Sequence, residues 1–207
     1  MNHLDRILEH KIIAIVRGCQ PESVLEIAGA LYEGGIRLME VTLNSPGAIS
    51  AIGQVRKLFG DRLLIGAGTV LTVDEVKQAV GAGAQFIISP SLDVDIIRQT
   101  RQMGAVSIPG AFTATEILTA YRSGAHIVKV FPASVGVAYF RDLRGPLPHI
   151  PLMPTGGVSL ENIKDFQKAG AVAFGIGSAL VPGAQVVVPE MLGLLQGRAK
   201  AFVEALR

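Results

Sequence analysis

The chain has 207 residues, 49% of them hydrophobic and 17% charged. That length suits one globular domain, residues 1–207, and leaves little room for two. A mean hydropathy of +0.44 excludes a disordered chain, which lacks the apolar surface to offset its ordering entropy. Lys+Arg 19 against Asp+Glu 17 leaves a net charge of only +2 with the signs interspersed, so no basic stripe points to nucleic acid. Cys19 is the single cysteine, which excludes an intramolecular disulfide framework and a cysteine metal site and fits a reducing cytoplasm.

Residues 1–11, MNHLDRILEHK, are too charged for the apolar core of a signal peptide and predict a short helix instead. A first strand is expected over Ile12–Arg17. Pro at a first-turn position then opens a helix over Pro21–Tyr32. A second strand, Leu38–Leu43, leads to Ser45-Pro46, a cap followed by Pro. Strand Leu63–Thr69 precedes Thr72-Val-Asp-Glu75, which fits a capping box, and strands Phe86–Pro90 and Ala105–Pro109 precede Thr113-Ala-Thr-Glu116, which fits a second. Strands His126–Phe131, Ile150–Thr155 and Val172–Gly177 follow, with Ser159 able to cap a helix running to Lys168. A closing helix is expected from about Pro189 to Leu206. The charge-free run Ala169 to Pro189 is long enough to span a bilayer. Its Gly and Pro residues, together with Gln185, make it strand, turn and loop, so no membrane span is expected.

The expected strands are continuous apolar runs, as in a parallel sheet covered on both faces. Eight strand–helix units at about 26 residues each predict an α/β fold, a compact (β/α)8 TIM barrel with the N-terminal helix over its bottom. An open doubly wound sheet fits less well. No G-x-G-x-x-G follows the first strand, and no acidic residue is placed for a ribose.

In such a barrel, chemistry belongs at the C-terminal ends of the strands. Of the seven lysines, Lys129 alone falls inside an expected strand, the sixth. Burial lowers an amine's pKa and makes it nucleophilic near neutral pH. Glu40 lies in an equally apolar second strand, opposite the sixth across the axis. The pair reads either as a Schiff-base amine with a proton-moving carboxylate or as a cross-barrel salt bridge. The second is a poor way to stabilise a core, because desolvation can exceed the Coulombic gain. The loops at Gly156-Gly157 and Gly177-Ser178 follow strands seven and eight, where phosphate sites recur. Arg17 ends strand one, where its planar fork could take a carboxylate or simply lie in solvent. The four histidines are scattered without ligand spacing, so no metal is expected.

The segments IIAIVRG (12–18), EVTLNSP (40–46), IGAGTV (65–70), FIISP (86–90), IPG (108–110), VKVFPAS (128–134), PTGGV (154–158) and GIGSALV (175–181) together resemble the 2-keto-3-deoxy-6-phosphogluconate (KDPG) aldolase family. That family includes 4-hydroxy-2-oxoglutarate (KHG) aldolases and 6-phosphogalactonate-type members. The resemblance covers nearly the whole chain. It implies a class I aldolase, usually a cytoplasmic homotrimer, that needs no cofactor. Such an enzyme cleaves a 2-keto-3-deoxy-6-phospho sugar acid to pyruvate and glyceraldehyde 3-phosphate, or 4-hydroxy-2-oxoglutarate to pyruvate and glyoxylate. By position it makes Lys129 the Schiff-base lysine and Glu40 the general acid/base. It puts Thr69 and Thr155 at the pyruvate end, Phe131 and Pro90 in the pocket walls, and Gly156, Gly157, Gly177 and Ser178 at the phosphate end. Asn44 stands where many phosphogluconate-type members carry Arg, and Ser134 where some carry Glu. Asn there with Arg at the end of strand one, as Arg17 is here, resembles the galactonate-type enzymes. Two other readings remain: another phosphate-binding barrel enzyme, such as an epimerase or phosphate-ester synthase, and a phosphosugar-binding barrel without catalysis.

Overall fold

The computed structural model of the protein describes residues 1–183 and 188–207. Helix α1 (His3–His10) opens on a capping box in which Asn2 and Asp5 satisfy each other's amides. The strands follow as β1 (Ile12–Val16), β2 (Leu38–Thr42), β3 (Leu64–Gly68), β4 (Phe86–Ile88), β5 (Val106–Ile108), β6 (Gly110–Ala111), β7 (Val128–Val130), β8 (Leu152–Pro154) and β9 (Phe174–Ile176). Between and after them lie α2 (Pro21–Glu33), α3 (Ala48–Phe59), α4 (Val73–Gly81), α5 (Val94–Gln102), α6 (Ala114–Arg122), α7 (Val137–Arg144), α8 (Ile163–Lys168) and α9 (Pro189–Ala205).

All strand pairs are parallel. Six strands run β5-β4-β3-β2-β1-β9 and three run β6-β7-β8. A bridge between Thr155 and Gly175 joins β8 to β9. At the other junction, β5 and β6 are two halves of one barrel strand. Carbonyls of Ser107, Pro109 and Ala111 accept from the amides of His126, Lys129 and Phe131 across that junction. The ring is therefore the expected (β/α)8 barrel, with one refinement. The fifth strand, expected as Ala105–Pro109, is divided at Pro109, which has no amide with which to reciprocate in the ladder.

Every residue of each strand is buried, and the reason is a double core. Ile12, Ala14, Val16, Met39, Val41, Ile65 and Ala67 pack outward against the helices. The alternate residues Ile13, Leu38, Leu64, Phe86, Val106, Met153 and Ala173 form a smaller apolar core inside the ring. Ile7 of α1 is fully buried in that inner core and plugs its lower end, as the N-terminal segment was expected to do.

The capping boxes at Thr72/Glu75 and Thr113/Glu116 form as their spacing predicts. Two expected caps do not. Helix α3 starts at Ala48 with Gly47 as its cap residue, because Ser45 spends its hydroxyl on Gly18 and Thr42 instead. Helix α8 starts only at Ile163, because Asn162 draws the Ser159 amide onto its own side chain and holds residues 157–162 in a turn. The end of the charge-free run, residues 184–187, lies outside the described residues. No helix among the described residues is long and apolar enough to cross a membrane.

Inside the ring, clearance is set by missing side chains. A Cβ at Gly66 would fall 2.2 Å from Phe86 Cε2, inside the ring that fills this level of the barrel. Gly66→Ala should therefore lower stability by about 1–3 kcal/mol through overpacking. Pairing it with Phe86→Leu should restore part of the loss, as read from denaturant midpoints.

Candidate active site

The strands that build the inner core also carry its polar layer. Along β2 the inward positions are Leu38, Glu40 and Thr42; along the β7 strand they are Ile127, Lys129 and the following Phe131. The lower member of each series is apolar and belongs to the plugged core. The next member is charged and almost fully buried: Glu40 is 1% exposed and Lys129 5%. The two lie on strands facing each other across the barrel.

They are electrostatically coupled, yet the ion pairs among the described residues are all on the surface and none joins them. Burial pushes the Glu40 carboxyl up, Lys129 and Arg17 pull it back, and the balance is about 7. Burial lowers the Lys129 amine, the charge of Glu40 raises it, and Arg17 lowers it again. The Lys129 Nζ stands 4.8 Å from the centre of the Phe131 ring. Among the described residues, Glu40 Oε2 and Thr155 Oγ1 are buried without a hydrogen-bond partner. Each such orphaned group costs about 1–3 kcal/mol in a closed core, so the two together single out this layer as a candidate site.

Above this layer opens a cleft of about 500 Å³. Of the residues singled out from the sequence, Arg17, Lys129, Phe131, Thr155, Gly156, Gly157, Gly177 and Ser178 all line it. Glu40 lies beneath its lining, coupled to both cations. Asn44, Thr69 and Pro90 do not line the cleft. Asn44 is exposed, and Thr69, the residue after β3, takes a left-handed conformation at φ 56, which is strained for a β-branched residue. Arg17 is exposed, and among the described residues its guanidinium makes no hydrogen bond. Lining residues that sequence reasoning passed over include Ile15, Val158 and Ala179. Apolar or small, they carry no signal of their own.

The far end of the cleft is backbone. Gly156 and Gly157 both take positive φ, 81 and 83, and a Cβ at Gly157 would meet the Ser134 backbone at 2.8 Å. Gly177 begins a single helical turn, its carbonyl accepting from Leu180 and Val181. Among the described residues, the amides of Gly157, Gly177, Ser178 and Ala179 donate to no protein atom. Amide donors without a protein acceptor, on residues that line one cleft, suit an anion.

Two further glycines make room for the polar layer. A Cβ at Gly68 would lie 2.5 Å from Glu40 Oε1, and one at Gly175 2.3 Å from Thr155 Oγ1. Glu40 also links the site to stability. With a folded pKa near 7, above its ordinary 4.5, the native state holds a proton that the unfolded chain releases between those values. The contribution of Glu40 should therefore be fully present below about pH 4.5 and lost as pH rises through 7. Melting curves of the wild type and Glu40→Gln should accordingly diverge in the wild type's favour as pH falls from 7 to 4.5. A pH-independent difference would show that the carboxyl titrates normally.

Comparison with known proteins places this arrangement. The family model described as KDPG and KHG aldolase matches residues 4–192. The chain is 39% identical over 183 residues to a probable 2-dehydro-3-deoxy-6-phosphogalactonate aldolase of Rhizobium meliloti (strain 1021), covering 86% of each chain. It is 38% identical over 178 residues to a 2-dehydro-3-deoxy-phosphogluconate aldolase of Treponema pallidum (strain Nichols), covering 85% of this chain and 84% of the other. The solved KDPG aldolase of Legionella pneumophila, with pyruvate captured at low pH as a covalent carbinolamine intermediate, superposes with a TM-score of 0.86 at 29% identity, over 97% of this chain and 98% of that one. On the extent of these matches, the chain belongs to the KDPG and KHG aldolase family.

Proposed function

We propose that the protein is a Schiff-base aldolase that cleaves a 2-keto-3-deoxy-6-phospho sugar acid to pyruvate and glyceraldehyde 3-phosphate. One observation carries the reading: a buried amine lines the cavity and a buried carboxyl lies beneath it without pairing, and among the described residues one oxygen of that carboxyl has no partner. The Legionella relative, which holds pyruvate as a covalent carbinolamine, supports the covalent step.

In this reading the neutral Lys129 amine adds to the C2 ketone, and the carbinolamine loses water to give an iminium ion. Glu40, as carboxylate, takes the proton of the C4 hydroxyl. The C3–C4 electron pair then moves into the iminium, leaving an enamine and releasing the aldehyde. Glu40 returns its proton to C3, and water hydrolyses the resulting iminium to pyruvate and free amine. A carboxyl that titrates at about 7 is available in both forms near neutrality, as these two roles demand.

Arg17 holds the substrate carboxylate, being the cation at the mouth beside Lys129, and Thr155 offers it a hydroxyl. Phe131 walls the amine. The amides around Gly156, Gly157, Gly177 and Ser178 hold the phosphate, which favours a phosphorylated substrate over 4-hydroxy-2-oxoglutarate. Arg17 with Asn44 supports a galactonate-type preference; Thr69 and Pro90 enter at the pyruvate end and pocket wall by family resemblance. We infer further that residues 1–207 act as one domain and that the enzyme works as a cytoplasmic homotrimer, as the resemblance implies.

Borohydride reduction with pyruvate should add one covalent adduct at Lys129, and Lys129→Ala should abolish both adduct and turnover. An adduct on another lysine overturns the assignment. A charged hydrogen bond is worth about 1.5–3 kcal/mol, so Arg17→Ala should raise the pyruvate concentration for half-maximal trapping by roughly 10–150-fold, and Arg17→Lys should recover only part.

A further inference from the structure

Among the described residues the Arg17 guanidinium has no hydrogen-bonded partner, so its aim depends on its backbone. Strand β1 stops at Val16, one residue earlier. Beyond it the chain turns at Gly18, whose φ of 71 takes it out of the strand. Here the neighbouring loop intervenes. The Gly18 amide donates to Ser45 Oγ at 2.8 Å. Ser45 Oγ also shares a hydrogen bond of 3.0 Å with Thr42 Oγ1, and the Ser45 amide donates to the Thr42 carbonyl at 2.9 Å. Thr42 is fully buried at the end of β2, two residues beyond Glu40. Ser45 itself is 7% exposed, so solvent reaches its hydroxyl little.

We infer that Ser45 is a positioning residue for substrate capture: it pins the residue following Arg17 to the rigid end of β2 and so sets where the guanidinium stands in the cleft. The inference rests on the proposed role of Arg17. The chain sacrifices a helix cap for this arrangement, since α3 begins on Gly47 without a side-chain cap while Ser45 reaches sideways. A second contact braces the same two loops: a Cβ at Gly47 would lie 2.5 Å from Pro21 Cγ, so the β1–α2 and β2–α3 connections are in close apposition. The Cys19 thiol also donates to the Arg17 carbonyl, at 3.6 Å. That bond stays within the β1–α2 connection. The Ser45 bond ties it to another strand.

Without the Ser45 hydroxyl, the exposed Gly18 amide turns to water and the loop loses its anchor on β2. The carboxylate end of the substrate should then be held less well, with the chemistry at Lys129 untouched once the site is saturated. The test is a pyruvate titration of borohydride trapping, read by intact-protein mass spectrometry, on the full chain. Ser45→Ala should raise the half-saturating pyruvate concentration roughly 3–10-fold, the size of one hydrogen bond, and leave the plateau unchanged. Ser45→Thr, which keeps the hydroxyl, should restore it. In an Arg17→Ala background, Ser45→Ala should add nothing.

Thr42→Val, which removes the support on the other side of the serine, serves if Ser45→Ala does not fold. It should shift half-saturation in the same direction and likewise only when Arg17 is present. Equal shifts in both backgrounds, or a lowered melting temperature with unchanged half-saturation, overturn the inference and leave the Arg17 reading standing. If Arg17→Ala alone leaves the titration unchanged, the carboxylate-anchor reading falls first, and this inference falls with it.

Discussion

A carboxyl and an amine share the interior of this barrel without touching, and much of the structure answers to that separation. An ion pair at Glu40 and Lys129 would satisfy both groups and silence both. Held apart, each pays for its burial by titrating nearer to neutrality, Glu40 upward and Lys129 downward. The apolar core below them, sealed by Ile7, removes water from one side. The cleft opens above them, and the positive charge of Arg17 pulls the Glu40 carboxyl back down while lowering the Lys129 amine further.

Space for this layer is created by subtraction. Gly66 admits the Phe86 ring that closes the apolar level, Gly68 admits the Glu40 carboxyl, and Gly175 admits the Thr155 hydroxyl. An eight-stranded ring has just room for side chains to fill it. A charged residue projecting inward therefore needs a neighbour that projects nothing. Strand β3, Leu64–Gly68, supplies two such positions beside β2, so the same strand sets both the packing under the carboxyl and its place above.

The barrel was largely legible in the sequence because both faces of each strand are apolar and the segments between carry caps and stops. Thr72/Glu75 and Thr113/Glu116 declared themselves by spacing alone, since a capping box is local. Lys129 stood out because a lysine inside an apolar strand conflicts with its neighbours. What stayed hidden was what depends on partners distant in sequence. Ser45 reads as a helix cap until Gly18, 27 residues away, is brought beside it. Ser159 reads likewise until Asn162 folds back on it. Pro109 reads as a strand end, although the strand continues past it to pair with β7. The clearances at Gly66, Gly68 and Gly175 are invisible without the cross-strand register.

The plug at Ile7 has a consequence for the order of events. Among the described residues, a chamber stoppered at one end by Ile7 opens at the other, and reactants pass through that opening in turn. For the proposed reaction, the aldehyde formed at the outer, amide-lined end stands between the enamine and bulk solvent. Bulk water gains access to the Lys129 adduct from above only after that fragment has gone. The three-carbon phosphate therefore departs first and pyruvate last, and in the synthetic direction pyruvate must be loaded before its partner arrives. A buried isoleucine on an N-terminal helix, far from any reacting atom, thus turns the barrel into a queue.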